Sequence, residues 1–214
     1  MSNSHHLSYQ MNRDDFLLAV KASGDGGNLV DTCRRHLLHG TPHVFAAREN
    51  SFFDFRRRIA DKFGIGFHEV FVVGSAKLGF SPYKEKEFDL DSDIDVVIVS
   101  TPLFDSFMEQ IRSYQSELRR SRRSVSTREQ ALYHQFLEYA ALGWIRPDKL
   151  PLSFTLSKLK DEWFEFFRSI SNGNSEVGNY KVAAGIFRSY SHLENYLLEG
   201  LVEVYEAQRV KEQS

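Results

Sequence analysis

The sequence predicts an α+β fold, a small mixed β-sheet flanked by helices with a helical C-terminal part, and three observations point to it. Residues 67–73 (FHEVFVV) and 94–99 (IDVVIV) are short β-branched and aromatic runs bounded by turn residues, the signature of strands. Much of the rest carries apolar residues every three or four positions, the period of a helix with one buried face. A chain of 214 residues with 42% hydrophobic, 26% charged and 14% aromatic content suits one large domain, or a compact domain with an extension. It can bury a real core, and disordered, collagenous and coiled-coil classes are excluded.

The elements follow in order. Residues 1–27 are polar apart from a short apolar stretch at 16–20 and end in a glycine-rich break, so they read as a loosely attached arm. A helix from Asn28 to His39 stops at Gly40, where Thr41 and Pro42 prevent continuation. Asn50 suits an N-cap for a helix carrying Phe52, Phe55, Ile59 and Phe63, with Arg56, Arg57 and Arg58 on its wet side and Gly64 closing it. Beyond Pro102, Phe104, Phe107, Ile111, Tyr114 and Leu118 step by three and four, and 131–142 continues helically to Gly143. Residues 150–156 (LPLSFTL) read as a third strand, followed by helices over 158–170 and 180–211. The last of these carries Val182, Ile186, Tyr190, Leu193, Leu197, Leu201 and Val204 on one stripe, which suits either an internal core or a homodimer seam. The expected division is an arm at 1–27, a main domain at 28–157 and a helical region at 158–214.

Charge and cysteine content narrow the partners. Twenty-seven basic against twenty-nine acidic residues leave a net charge of −2, so a polyanion must be held by a local patch. The basic run at 119–123 reads as a solvated helix end, where cations complement the helix dipole. His36 and His39 lack an evident third metal ligand, and Trp144 reads as packing in a helix-to-strand connector. With Cys33 as the single cysteine no intrachain disulfide forms, which agrees with a reducing compartment. No stretch approaches the roughly 20 apolar residues of a bilayer span, and the N-terminus lacks the apolar core of a secretory signal. A cytoplasmic location and no membrane partner are expected.

The chemistry is concentrated between residues 71 and 99. A strand ends in Gly74-Ser75, and after a charged loop a second strand begins with the alternating acids Asp91, Asp93 and Asp95. Residues i and i+2 of a strand share a face, so Asp93 and Asp95 present two carboxylates side by side while Ile94 points into the core. Two like charges that close repel unless a cation lies between them, and Mg2+ suits one or two carboxylates with substrate phosphates. Gly74 permits a tight turn and close approach of a phosphate to the backbone, and Ser75 adds a hydroxyl.

This pattern, Val73-Gly74-Ser75 followed by Asp93-Ile94-Asp95 on the next strand, resembles the DNA polymerase β-like nucleotidyltransferases. The resemblance covers roughly residues 67–100. It implies a minimal palm of a few strands flanked by helices, a two-ion magnesium site on Asp93 and Asp95, and an NTP gripped at Gly74 and Ser75. The implied reaction passes NMP to an acceptor hydroxyl on a protein, an RNA or a small molecule, with loss of pyrophosphate. Compact members of similar size occur in bacterial toxin–antitoxin and phage-defence modules. The interval from Ser75 to Asp93 is longer than the family usually has, with residues 82–90 as the excess, a surface insert of small entropic cost. Lys77, Lys181 and Arg188 are further candidates for phosphate contact, the last two as a clamp two turns apart on the final helix. Asp91 is a candidate extra metal ligand. The family's third carboxylate lies on a later strand, and 150–156 offers only Ser153 and Thr155, while Asp148 and Asp91 have no compelling spacing. Its absence motivates the alternative of a catalytically impaired nucleotide sensor or partner-binding pseudoenzyme.

Overall fold

The computed structural model describes residues 11–24, 28–84, 86–120, 125–150 and 154–213. In chain order the elements are α1 (Arg13–Gly24), α2 (Leu29–Cys33, continued by a wider turn over Arg34–Leu38), α3 (Glu49–Phe63), β1 (Val70–Val73), α4 (Gly74–Leu78), β2 (Phe80–Ser81) and β3 (Lys86–Glu87). There follow β4 (Ile94–Val99), α5 (Thr101–Arg119), α6 (Thr127–Ala141), β5 (Trp144–Ile145), α7 (Phe154–Ser169), β6 (Val182–Phe187) and α8 (Tyr190–Glu212). Local chemistry sets several boundaries. The Asn28 carboxamide oxygen accepts the Val30 and Asp31 N–H groups at the start of α2, Ser126 and Glu129 form a capping box on α6, and left-handed Gly64 closes α3.

Four strands form one mixed sheet in the order β1-β4-β6-β5, and β2 and β3 make a separate two-stranded ribbon. β1 runs antiparallel to β4 with Val73 opposite Asp95, and β6 runs parallel to β4 with Val182 opposite Ile94 and Ala183 opposite Asp95. β5 closes the far edge antiparallel to β6, Trp144 opposite Phe187. The period-2 alternation then sorts the faces. Val70, Val72, Ile94, Val96, Ile98, Val182 and Ile186 point into the main core with Phe55 and Ile59 of α3, Phe107 of α5 and Trp163 of α7. Val73, Val97 and Phe187 face the opposite way and are covered by Leu193 of α8. β4 is buried on both sides, which is why its run is apolar throughout after Asp95.

The mixed α+β architecture agrees with the sequence reading, but three elements differ. Residues 13–24 are a packed helix rather than an arm: Phe16 and Val20 are fully buried against Leu201 and Val204 of α8, and Lys21 pairs with Glu212 at 2.5 Å. Residues 1–10 and 25–27 of the expected arm lie outside the described residues. Of the segment 150–156, read as a third strand, 154–156 belong to α7 and 151–153 lie outside the described residues, and the sheet's third strand lies elsewhere. It is β6, inside the segment read as one long helix. Because β6 is the sheet's third strand, the expected boundary at 157/158 divides the sheet itself. Among the described residues no helix is long and apolar enough to cross a membrane.

Two outcomes follow from this packing. Phe16→Ala should lower stability by about 3–5 kcal/mol, as for a buried aromatic that leaves a cavity, whereas a loose arm would show no change in denaturant midpoint. Cys33 is fully buried, and burial pushes its thiol from 9.0 up to about 12, with Glu194 acting in the same direction and Arg34 opposing. The folded thiol therefore stays protonated where the unfolded one ionises, so stability should fall as pH rises above about 9. A thiol reagent at pH 8 should label the chain only in denaturant.

Candidate functional site

The two acids stand at the start of β4. Asp95 pairs with Val73, the last residue of β1, so the chain leaving β1 must turn beside its carboxylate. Gly74 makes that turn at φ +66°, and a Cβ there would lie 3.0 Å from Asp95 Oδ2. Glycine is thus required twice, by the left-handed backbone and by the neighbouring carboxylate. Ser75 follows in the first turn of α4 and is only partly buried. On the other side of β4, the Ile94 N–H donates to the Lys181 carbonyl at 2.8 Å, and the Lys181 ammonium lies 3.0 Å from Asp93 Oδ2. Both side chains of that pair are substantially exposed, at 66% and 44%.

Asp95 carries the electrostatic signature of the site. Its carboxyl is raised above the ordinary carboxylate range by burial first and by Asp93 second, while Lys181 opposes. The residue still shows a solvent-exposed face, so it sits in a recess, ringed by protein atoms but open to water. A pair of mutually repelling carboxylates with a single exposed lysine as counter-charge is a donor set that suits a hard divalent cation. Among the described residues no group of three His, Cys, Asp or Glu side chains comes together as a metal cluster.

Of the residues singled out in the sequence, Gly74, Ser75, Asp93, Asp95 and Lys181 converge, and four do not. Asp91 is exposed on the preceding turn, where its N–H donates to Asp89 Oδ1 at 3.1 Å, and it does not join the other two acids in a cluster. Lys77 is buried beneath α4, and its ammonium donates to the carbonyls of His39 and Gly40, the latter at 2.9 Å. Burial lowers it to about 8, and it pins the α2 exit rather than reaching for phosphate. Arg188 sits at the opposite end of β6 from Lys181, roughly 20 Å away at about 3.3 Å per strand residue, beside Asp105 at 3.5 Å. The expected clamp assumed a helix, and a strand separates its two members. Asp148 is tied to Arg146 at 2.9 Å after β5, two strands from β4.

The position beside the acids on the next strand is the part that sequence reading missed. Ala183 lies opposite Asp95, so the strand adjacent to the acids offers a methyl group where a third carboxylate was sought. A signal was available. A helix over 180–211 is unusually long, and Ser189 within it occupies the N-cap position from which α8 starts. The insert 82–90 also acquires a place. Its described residues include the turn at 82–84 and β3, Tyr83 packs its hydroxyl against Gly200 of α8, and the Phe88 ring lies 4.9 Å from that of Tyr180, next to Lys181.

No protein-family model matches the chain, and no curated protein or solved structure matches it.

Gly74→Ala should destabilise by about 1–2 kcal/mol for the left-handed backbone alone, and further for crowding Asp95. Gly173 has φ +86° with nothing within 4 Å of a Cβ, so Gly173→Ala carries the backbone penalty without the crowding. Thermal denaturation should show the larger loss for Gly74→Ala. Equal losses would mean that Gly74 does not press on Asp95.

Proposed function

We propose that this chain is a metal-dependent nucleotidyltransferase, with the NTP phosphates at Gly74 and Ser75 and a divalent cation on Asp93 and Asp95. The observation that carries the reading is the packing of the Gly74 turn directly against the Asp95 carboxylate, which joins the two halves of the motif into one recess. A bound Mg2+ would supply charge neutralisation for the phosphates and the leaving pyrophosphate.

The chain's own residues divide the remaining work. Gly74 has no side chain to keep a phosphate from its backbone, and Ser75, only partly buried, would add its hydroxyl. Lys181 neutralises Asp93 in the absence of a cation, and its exposed, flexible ammonium is free to pass to a phosphate when the carboxylate is otherwise engaged. In the transfer, a bond forms between the acceptor hydroxyl oxygen and the α-phosphorus. The bond from that phosphorus to the β-phosphate bridging oxygen breaks, pyrophosphate keeps the electron pair, and the hydroxyl proton passes to water.

A second reading, nucleotide binding without transfer, is favoured by Ala183 opposite Asp95, because no carboxylate on that strand assists the hydroxyl. The two separate in one experiment. The purified chain is incubated with each α-labelled NTP and Mg2+, and label is followed on protein, RNA and small molecules. The transferase reading expects label transfer that falls at least about a hundredfold in Asp93→Ala/Asp95→Ala. Metal-dependent binding without transfer supports the sensor, and absence of any nucleotide binding contradicts both.

A further inference from the structure

Lys77 is a buried charge that the proposed site does not use by contact. It is 8% exposed, and its ammonium donates to the His39 and Gly40 carbonyls, the latter at 2.9 Å. Those carbonyls hold the ammonium in place but carry no net charge to offset it. Among the described residues it has neither a carboxylate partner nor an acceptor for its third N–H. A buried cation without a counter-charge is costly, and the cost falls when an anion binds nearby.

The surroundings on the α2 side do nothing to offset it. The elements packed on α4 bring Arg34, Arg35 and His36 from the α2 exit, His43 from the turn that follows and Asp95 from β4, while β1 and β2 bring no titratable group. Arg34 is occupied by both Glu194 oxygens. His36 is held below its ordinary value by burial first, then by Arg35 and by Lys77, so it is neutral above pH 7. The acid in this set, Asp95, stands at the other end of α4, against Gly74. Lys77 follows Gly74 by three residues within α4, a spacing of about 5–6 Å, and its four-carbon side chain keeps the ammonium within roughly 10 Å of the turn. The C-terminal end of α4 is clamped as well. Gly79 closes it at φ +92° with the His43 ring 2.6 Å from where a Cβ would lie, and its carbonyl accepts the Phe88 N–H at 2.8 Å.

We propose that Lys77 is a positioning residue for the triphosphate: its ammonium ties α4 to the His39 and Gly40 carbonyls, holding Gly74 and Ser75 in place from behind, and lends the turn a positive charge that attracts phosphate without touching it. The inference rests on the nucleotide-binding reading above. At an intermediate dielectric, a charge about 10 Å away changes the affinity for an anion by roughly tenfold. The coupling is reciprocal, so the factor that the charge adds to NTP affinity is the factor that NTP adds to the proton affinity of Lys77. Tenfold corresponds to about one pH unit. Burial alone lowers Lys77 to about 8. Bound phosphate favours the charged form, so the midpoint rises on binding, and NTP affinity is full below about pH 8 and falls as pH rises through it.

The full chain is prepared with 13C at the lysine Cε, Lys77 is assigned through the backbone, and its resonance is titrated with and without Mg2+ and a saturating non-hydrolysable ATP analogue. The midpoint is expected near 8 in the free chain and about one pH unit higher with the analogue. Calorimetry in parallel is expected to show wild-type affinity for the analogue falling roughly tenfold between about pH 7 and 9.5. In Lys77→Met it should be weak and flat across that range. A midpoint that does not move while the analogue binds would overturn the inference alone, and so would undiminished affinity in Lys77→Met. Weak binding by Lys77→Met beside a flat wild-type pH profile would also overturn it, leaving a structural pin. No binding of the analogue by the wild type would overturn the nucleotide reading together with the inference.

Discussion

The parallel pairing of β4 with β6 is the constraint on which the rest of the site depends. It joins a strand from the first half of the chain to one almost ninety residues later, in a continuous six-residue register from Ile94 opposite Val182 to Val99 opposite Phe187. A slip of one residue would exchange the two faces of β6, placing Val182 and Ile186 towards α8 and Ala183 in the main core. Burial of Val182 and Ile186 in the main core forbids that. The same register brings Lys181 to Asp93 and sets Ala183 beside Asp95.

Against that backbone constraint the ionic contacts are secondary. The Asp93–Lys181 pair is exposed on both sides, and pairs of that kind contribute about 0–1 kcal/mol, so it tunes the charge of the recess without holding it together. The two carboxylates stay close because strand geometry fixes them, and the Asp95 carboxyl is raised by its burial first and by Asp93 second. Lys77 illustrates the opposite case, a buried ammonium retained because it satisfies two backbone carbonyls at the α2 exit.

The half of the site that was legible in the sequence is the half written locally. Gly74-Ser75 and Asp93-Ile94-Asp95 lie within about twenty residues, and each sits at a strand end where turn chemistry and alternation make it readable. β6 was not legible for a physical reason. Its sequence VAAGIF is apolar on both faces, since one side meets the main core and the other carries Ala183, Gly185 and Phe187, so no period-2 alternation appears. Val182 and Ile186 are four apart and Tyr190 follows, which mimics a helical stripe running into α8. The misreading of α1 has a related origin: its apolar residues are few, and the partner that buries Phe16 and Val20 lies at the other end of the chain. The helical period puts Arg56 on the wet face of α3, yet its guanidinium lies 4.3 Å over Phe67, a contact that only the tertiary arrangement creates.

The most direct test of the central claim is where a divalent cation and nucleotide bind. Mn2+, as a paramagnetic substitute for Mg2+, broadens nearby amide resonances in an NMR titration carried out with a non-hydrolysable NTP. The account expects first loss of signal at Gly74, Ser75, Asp93, Ile94 and Asp95 and at Val182 and Ala183 across the strand pair, and no such pattern in Asp93→Ala/Asp95→Ala. Broadening centred on Asp89 and Asp91, or a uniform response that the double variant leaves unchanged, would contradict it.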